Sequence, residues 1–297
     1  MQTGEIQLTQ EQMGKLRGKE LEILKNFIRV CEQLNLNYFV VQGTLIGAVR
    51  HKGFSPWDDD IDVGMLREDF EVFISEGQAL MPENLFIQTH QTDPYYPHGF
   101  AKIRNSDTAF VETSCKKLPI NHGIYIDIFP FDYYPDNPVK SAVFEMRKFF
   151  LRYRIRCSLY IPADQKFTGA NLIRRVLKRC SKIIYPSLEE ALDKQYMLYK
   201  SVGAGKKRIN NGSPWGLREC MPAFWFNEIT ELVFEGIPVK APKYYKAYLT
   251  HVYGDYMKLP PPEKRIPHHF VAILDFNKPY IEEYVLSHER QQRRDGE

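Results

Sequence analysis

Between Thr9 and Leu34 the apolar residues Leu16, Leu24, Phe27, Ile28, Cys31 and Leu34 return at helical spacing, and Thr9 followed by Gln12 forms a capping-box pattern. A first helix of about 25 residues is predicted there. The pattern then shortens. Residues 38–42 are a brief β-rich run ending at Gly43-Thr44, and residues 45–51 read as a short helix. Residues 61–65 alternate as a strand, residues 67–80 return to the helical period, and short strands are expected at 85–88, 100–104 and 124–129. Beyond Pro138 helices are expected at 141–159, 171–184 and 188–201, followed by a Gly/Asn/Pro-rich turn region at 203–216. A hairpin at 232–239, a helix at 242–253 and a proline-rich loop at 256–267 complete the pattern.

The fold class predicted is α/β (α+β): a mixed β-sheet core with flanking helices over residues 1–135, and a mostly helical part over 136–297. The second part either completes the site of the first or joins it in one compact domain. With 43% hydrophobic and 13% aromatic residues, a packed core is well supplied. Five cysteines, widely spaced and without a CxxC pair, point to reduced thiols rather than to zinc or disulfides. No apolar run reaches the length of a membrane span, and the first 20 residues lack an apolar signal region, so a cytoplasmic protein is expected.

Charge changes the picture of the second part. The net charge of +3 conceals 12 Lys/Arg against Glu145 and Asp164 within residues 140–182. Arg147, Lys148, Arg152, Arg154 and Arg156, and then Arg174, Arg175, Lys178 and Arg179, are interleaved with Phe144, Phe149, Phe150 and several leucines. Such helices suit the surface of an anionic membrane, although a solvated cationic face or a glycan phosphate accounts for the same residues. Nucleic acid is not expected as a partner, because no helix-turn-helix, zinc-finger or RNP-type motif accompanies the charge.

The densest chemistry is Pro56-Trp57-Asp58-Asp59-Asp60-Ile61-Asp62-Val63. In a strand Asp60 and Asp62 share one face, where two carboxylates repel unless a cation lies between them. Mg2+, with Mn2+ as a substitute, fits, since it combines one or two carboxylates with water and substrate phosphate. A solvated acidic turn is the plain alternative. About 15 residues earlier, Gly43-Thr44 stands between strand and helix, where backbone N–H groups and a hydroxyl meet phosphate. In Gly123-Ile124-Tyr125-Ile126-Asp127-Ile128-Phe129, the isoleucines take one face and leave Asp127 on the other. Asp127 is then a third metal ligand, a general base or a structurally paired acid, with Asp132 as second choice.

Read whole, Gly43-Thr-Leu-Ile-Gly-Ala-Val-Arg-His-Lys-Gly-Phe-Ser-Pro-Trp-Asp-Asp-Asp-Ile-Asp62 resembles the signature of the LicD family, within the nucleotidyltransferase superfamily. So do Gly123-Ile-Tyr-Ile-Asp-Ile-Phe-Pro-Phe-Asp132 and Tyr253-Gly-Asp-Tyr-Met-Lys-Leu-Pro-Pro-Pro-Glu-Lys-Arg265 with the following His268-His269. The resemblance implies a nucleotidyltransferase-like core and transfer of phosphocholine from CDP-choline to a sugar of a bacterial surface glycan, teichoic acid or lipopolysaccharide. The similar fukutin-type relatives handle ribitol phosphate from CDP-ribitol, so another headgroup, glycerol phosphate included, is an alternative, as is true nucleotidyl transfer. Partners implied are a CDP-linked donor and a glycan or lipid-linked glycan acceptor.

Within this scheme Asp60, Asp62 and Asp127 form the metal and catalytic set, and Gly43 and Thr44 contact donor phosphate. Arg50, His51 and Lys52 lie between these elements and are expected to stabilise pyrophosphate and departing CMP. Lys102 and Arg104 share a strand face and are assigned to nucleotide or phosphate. Lys264, Arg265, His268 and His269 are assigned to phosphate or acceptor. Trp57, Tyr125, Phe131, Tyr133, Tyr134, Trp215 and Trp225 are available for a choline cage, without the sequence selecting among them. Ser55 departs from the aliphatic residue common in the family, and a packing position is expected for it.

Overall fold

A computed structural model describes residues 8–157, 179, 181, 183–203, 206–210, 219–267 and 269–279. Most of the helix expected at 171–184 and of the turn region at 203–216, with Arg174, Arg175, Lys178, Trp215 and His268, lies outside the described residues.

Helix α1 (Gln10–Gln33) starts at the predicted box: Gln12 N donates to Thr9 Oγ1 and Thr9 N to Gln12 Oε1. Its apolar stripe, with Leu16, Ile23, Leu24, Phe27, Val30 and Cys31 all buried, packs against the central sheet. That sheet begins with β1 (Phe39–Val40), antiparallel to β2 (Asp62–Leu66). Strand β2 runs parallel to β6 (Ile124–Tyr134), which is antiparallel to β4 (Ala101–Asn105), itself antiparallel to β3 (Leu85–Gln88). The order is β1-β2-β6-β4-β3, and the far end of β6 also pairs with β7 (Arg208–Asn210), which pairs with β8 (Met221–Pro222).

Helix α2 (Gln42–His51) begins three residues before the predicted start and takes Gly43 and Thr44 into its first turn. The turn from β1 is made abruptly by Gln42 at φ 47°, a left-handed conformation that no apolar pattern announces. Close approach governs α2 as well: a Cβ on Gly47 would stand 2.4 Å from the carbonyl oxygen of Gly53. Helix α3 (Arg67–Glu76) returns the chain from β2 towards β3.

The second part carries more strand than expected. Besides the foreseen hairpin, found as β9 (Ile229–Phe234) and β10 (Ile237–Pro242), there are β7, β8 and β11 (Val271–Asp275), the last pairing with β5 (Ala109–Glu112). Met221, Phe226, Phe234, Val239 and Val271, with Tyr248 and Leu249 of α6 (Tyr245–Tyr253), join the same hydrophobic core as Phe27 and Ile126. Helices α4 (Pro138–Arg156) and α5 (Leu188–Lys200) instead enclose a smaller core of Phe144, Leu151, Ile155, Ala191, Leu192 and Tyr199 with Tyr134. Period-two and period-three patterns do not reveal which short strands find partners so distant in sequence.

Candidate active site

The parallel register sets Asp62 of β2 beside Asp127 of β6, and the antiparallel register sets Lys102 of β4 on Asp127's other side. Three chemically active side chains therefore form a row across three neighbouring strands, while Val63, Ile103, Ile126 and Ile128 turn to the core. In the next row Arg104 lies opposite Tyr125. Lys102 is buried, with Nζ 2.9 Å from Asp127 Oδ1, 3.4 Å from Glu112 Oε1 and 3.2 Å from the Tyr125 ring centroid. Arg104 donates from Nε to Gln88 Oε1 (2.7 Å) and from a terminal nitrogen to the Gly123 carbonyl (2.8 Å), with its guanidinium 4.5 Å from the Tyr125 centroid. Arg104 thus serves as an internal brace. Glu112, drawn from β5, was not singled out by sequence; burial opposes its charge, yet Lys102, His269 and Arg104 hold its carboxyl well below the usual range.

The acidic loop enters this row from β2's open end. Strand β2 begins at Asp62, so Asp60 sits on the preceding loop rather than on a shared strand face. Arg17 of α1 pins that loop by its backbone, donating to the carbonyls of Ser55 (2.9 Å), Pro56 (3.0 Å) and Asp58 (2.8 Å). Nothing in the periodicity of α1 marks Arg17 for this role. Gly43 makes room for the Asp58 carboxylate, because a Cβ there would lie 3.0 Å from Asp58 Oδ2, a buried oxygen with no hydrogen-bond partner among the described residues. Thr44 is buried, and its hydroxyl accepts from Asp62 N at 2.8 Å; the side chain anchors β2.

The electrostatics of the loop are one-sided. Burial, then the charges of Asp60, Asp127 and Asp58, push the Asp62 carboxyl well above its ordinary range. Burial and the charges of Asp60 and Asp59 do the same to Asp58. Burial also raises Asp127, against the pull of Lys102. Beneath the loop, Glu20 of α1 is raised by burial and by Asp60, Asp59 and Asp58. Asp60, Asp62 and Asp127 do come together, but not as a ready three-ligand cage: among the described residues no three acid, imidazole or thiol groups converge on one ion position. Asp127 Oδ1 has the Lys102 ammonium 2.9 Å away as its charge partner, in the place a metal ion would take. Asp60 and Asp62 remain the residues that would hold Mg2+, which takes one or two carboxylates and completes its shell with water and phosphate oxygens.

A third component arrives from the C-terminal side. Pairing of β11 with β5, and Thr113 N donating to Phe270 O (2.8 Å), brings His269 onto the acidic loop. His269 N donates to Asp59 Oδ2 (3.1 Å), and Nδ1 stands 3.3 Å from Asp59 Oδ1. Burial disfavours the imidazolium, but the bond to Asp59 and the charges of Asp60 and Glu112 prevail and push His269 up to about 9. Lys264 lies exposed in the turn at Pro262–Lys264. Arg265 donates to the Pro260 carbonyl (2.8 Å), and its guanidinium lies 5.8 Å from the Trp57 ring. Arg50 faces the same ring at 5.6 Å and donates to His51 Nε2, the Tyr256 carbonyl and Ser55 Oγ. Ser55 thus does have a polar role, as an acceptor that orients Arg50. Burial and the neighbouring Arg50 lower the pKa of His51.

The other candidates resolve differently. Asp132 forms two 2.7 Å hydrogen bonds with Arg67 of α3, a buried structural pair away from the row. Of the aromatic residues, Phe131 is fully buried against Phe39 and Phe226, and Tyr125 already receives Lys102 and Arg104. Trp225 packs edge-on to His251. Trp57 is shared by two guanidiniums, which repel a further cation.

Known proteins resemble this chain in sequence. The family model described as LicD/FKTN/FKRP, nucleotidyltransferase domain, matches residues 35–158, which include Gly43, Asp60, Asp62 and Asp127. The lipopolysaccharide cholinephosphotransferase LicD of Haemophilus influenzae is 31% identical over 252 residues, covering 84% of this chain and 92% of that protein. The ribitol 5-phosphate transferase FKRP of Mus musculus is 25% identical, and that of Homo sapiens 26%, each over 124 residues, 40% of this chain and 21% of theirs. The chain is a transferase and belongs to the LicD family.

Proposed function

We propose that the protein transfers phosphocholine from CDP-choline to a sugar hydroxyl of a bacterial cell-surface glycan, lipopolysaccharide or teichoic acid, and releases CMP. The carrying observation is the in-register row Asp62–Asp127–Lys102 with Asp60 at its entrance. Support for the headgroup comes from the Haemophilus influenzae relative, named for cholinephosphate transfer to lipopolysaccharide and matched over most of both chains. Ribitol or glycerol phosphate from its CDP donor is the second reading, favoured by the FKRP relatives and by the lack of a free aromatic cage at Tyr125 and Phe131.

Mg2+ on Asp60 and Asp62 would neutralise charge on the transferred phosphoryl oxygens. Asp127 accepts the proton of the attacking hydroxyl, and Lys102 keeps its carboxylate charged and fixed. The new bond joins acceptor oxygen to the donor's distal phosphorus, the P–O bond to CMP breaks, and the proton passes from Asp127 to solvent. Arg50, Arg265 and protonated His269 place positive charge around the loop and serve the pyrophosphate. Thr44 and Arg104 act by holding strands rather than by touching the donor.

The test is incubation with Mg2+ and CDP-choline, CDP-ribitol or CDP-glycerol in turn, following CMP. Release of CMP fastest from CDP-choline supports the proposal. Pyrophosphate release from a nucleoside triphosphate, with no CMP from any of the three donors, overturns it in favour of nucleotidyl transfer.

A further inference from the structure

Helix α4 hides one face and offers the opposite one. Phe144, Leu151 and Ile155 are buried against α5, whereas Val139, Val143, Met146 and Phe149 are 72%, 47%, 55% and 53% exposed. At about 100° per residue, Val139, Val143, Met146, Phe150 and Tyr153 fall in one line on the outer face, with Phe149 beside it. Phe149 contacts Phe150 and stacks with Tyr153, at 5.5 and 6.2 Å between centroids, so the aromatic end is a continuous surface. From Val139 to Tyr153 the line runs about 21 Å at 1.5 Å per residue. Scattered exposed apolar residues are ordinary, but a contiguous stripe on a helix marks an interaction face.

Charge says what covers it. Lys140 and Arg147 border the stripe on one side and Arg152 and Arg156 on the other, all at least partly exposed. Two further cations of α4 are buried: Lys148 pairs with Glu145 at 2.6 Å, and Arg154 donates to the carbonyls of Tyr185 and Pro186. The outer face thus combines apolar side chains at its centre with long cationic side chains along both edges, which is the layout of a helix lying in the interface of an anionic bilayer. No described helix is long and apolar enough to cross a membrane.

We infer that the outer face of α4 docks the protein on an anionic lipid surface, with Val143, Met146 and Phe149 entering the interface and Lys140, Arg147, Arg152 and Arg156 reaching the headgroups. Strand β6, which carries Asp127, leads directly into α4. Docking would therefore hold the catalytic strand at a fixed orientation to lipid-borne acceptors. The inference stands on the geometry of α4 and does not depend on which headgroup is transferred.

The experiment is flotation with vesicles of phosphatidylglycerol and phosphatidylcholine in equal parts, beside vesicles of phosphatidylcholine alone, with the molar mass measured in parallel by light scattering. The expected result is binding to the mixed vesicles that weakens about tenfold or more in each of three cases: phosphatidylcholine alone, Met146→Glu/Phe149→Glu, and Lys140→Glu/Arg147→Glu. Thermal unfolding of each variant serves as the fold control, and Phe149→Ser replaces the double variant if that one unfolds. Wild-type protein that stays with the unbound fraction, or variants that float as well as wild type, would overturn the inference. A dimer that dissociates on Met146→Glu, without vesicle binding, would assign the stripe to a second copy and likewise overturn it.

Discussion

Lys102 Nζ lies 2.9 Å from Asp127 Oδ1 across the β4–β6 pair, so the acid expected to complete a metal site already has a cation of the protein's own. Glu112 approaches the same ammonium at 3.4 Å. Removing Lys102 leaves two buried carboxylates with only the more distant charges of His269 and Arg104 to offset them, and loss of one partner of a buried pair costs about 3–5 kcal/mol. Lys102→Met should therefore lower the unfolding midpoint strongly. Adding Glu112→Gln should recover part of that loss, since it removes one of the stranded charges. Chemical denaturation of the single and double variants measures both effects, and an undiminished midpoint in Lys102→Met would dismiss the pairing as energetically idle.

Asp127→Asn keeps the size of the side chain but removes the proton acceptor. General-base catalysis contributes roughly 10²–10⁴-fold, so CMP release should fall by that factor while donor affinity changes little. Asp62→Asn should abolish turnover by a different route, through loss of the carboxylate proposed to hold Mg2+. It should also leave unfolding unchanged or slightly delayed, because burial and three neighbouring acids disfavour the Asp62 charge. A large loss of stability in Asp62→Asn would mean that the carboxylate is structural.

Asp132→Asn separates the two aspartates of the β6 segment. Arg67 would lose its 2.7 Å charged partner in a buried position and keep only Glu71 at 3.1 Å, so the cost should fall at or below the low end of about 3–5 kcal/mol. Below its lowered midpoint, CMP release per folded molecule should stay near wild type. Equal activity losses in Asp127→Asn and Asp132→Asn, measured at a temperature where both are folded, would remove the distinction drawn between them.

Much of the row was legible from period two alone. The isoleucines of β6 assign Asp127 to the opposite face, and Lys102 and Arg104 fall on one face of β4 by the same alternation. The first helix was legible because its stripe spans about five turns and its cap is a two-residue signal. What alternation omits is pairing. That β2 lies parallel to β6, with Asp62 opposite Asp127, depends on packing between segments 65 positions apart. Arg17 gripping the loop, and His269 meeting Asp59 across 210 positions, have no local signature at all. Gly47 illustrates a middle case: its place in the motif was visible, while its purpose appears only when Gly53 O is found 2.4 Å from where a Cβ would be. Overpacking against backbone costs about 1–3 kcal/mol, and Gly47→Ala should lose that much in denaturant titration.

The Asp59–His269 pair sets a pH signature. His269 is raised from 6.5 to about 9, so the folded protein holds this proton more tightly than the unfolded chain does. The resulting stabilisation is complete below pH 6.5 and is lost as pH rises through about 9. Many other groups titrate in that range, so the useful quantity is the difference between wild type and His269→Gln. Wild type should be the more stable at pH 6–7, and the gap in unfolding midpoint should narrow steadily as the pH passes about 9. An NMR titration of the imidazole gives a second readout, in which the midpoint falls back towards 6.5 in Asp59→Asn. A stability gap that stays constant across this window, with an imidazole titrating near 6.5, would show the contact with Asp59 to be a neutral hydrogen bond. His269 would then bring no positive charge to the acidic loop, and its share in binding the donor's pyrophosphate would fall to Arg50 and Arg265.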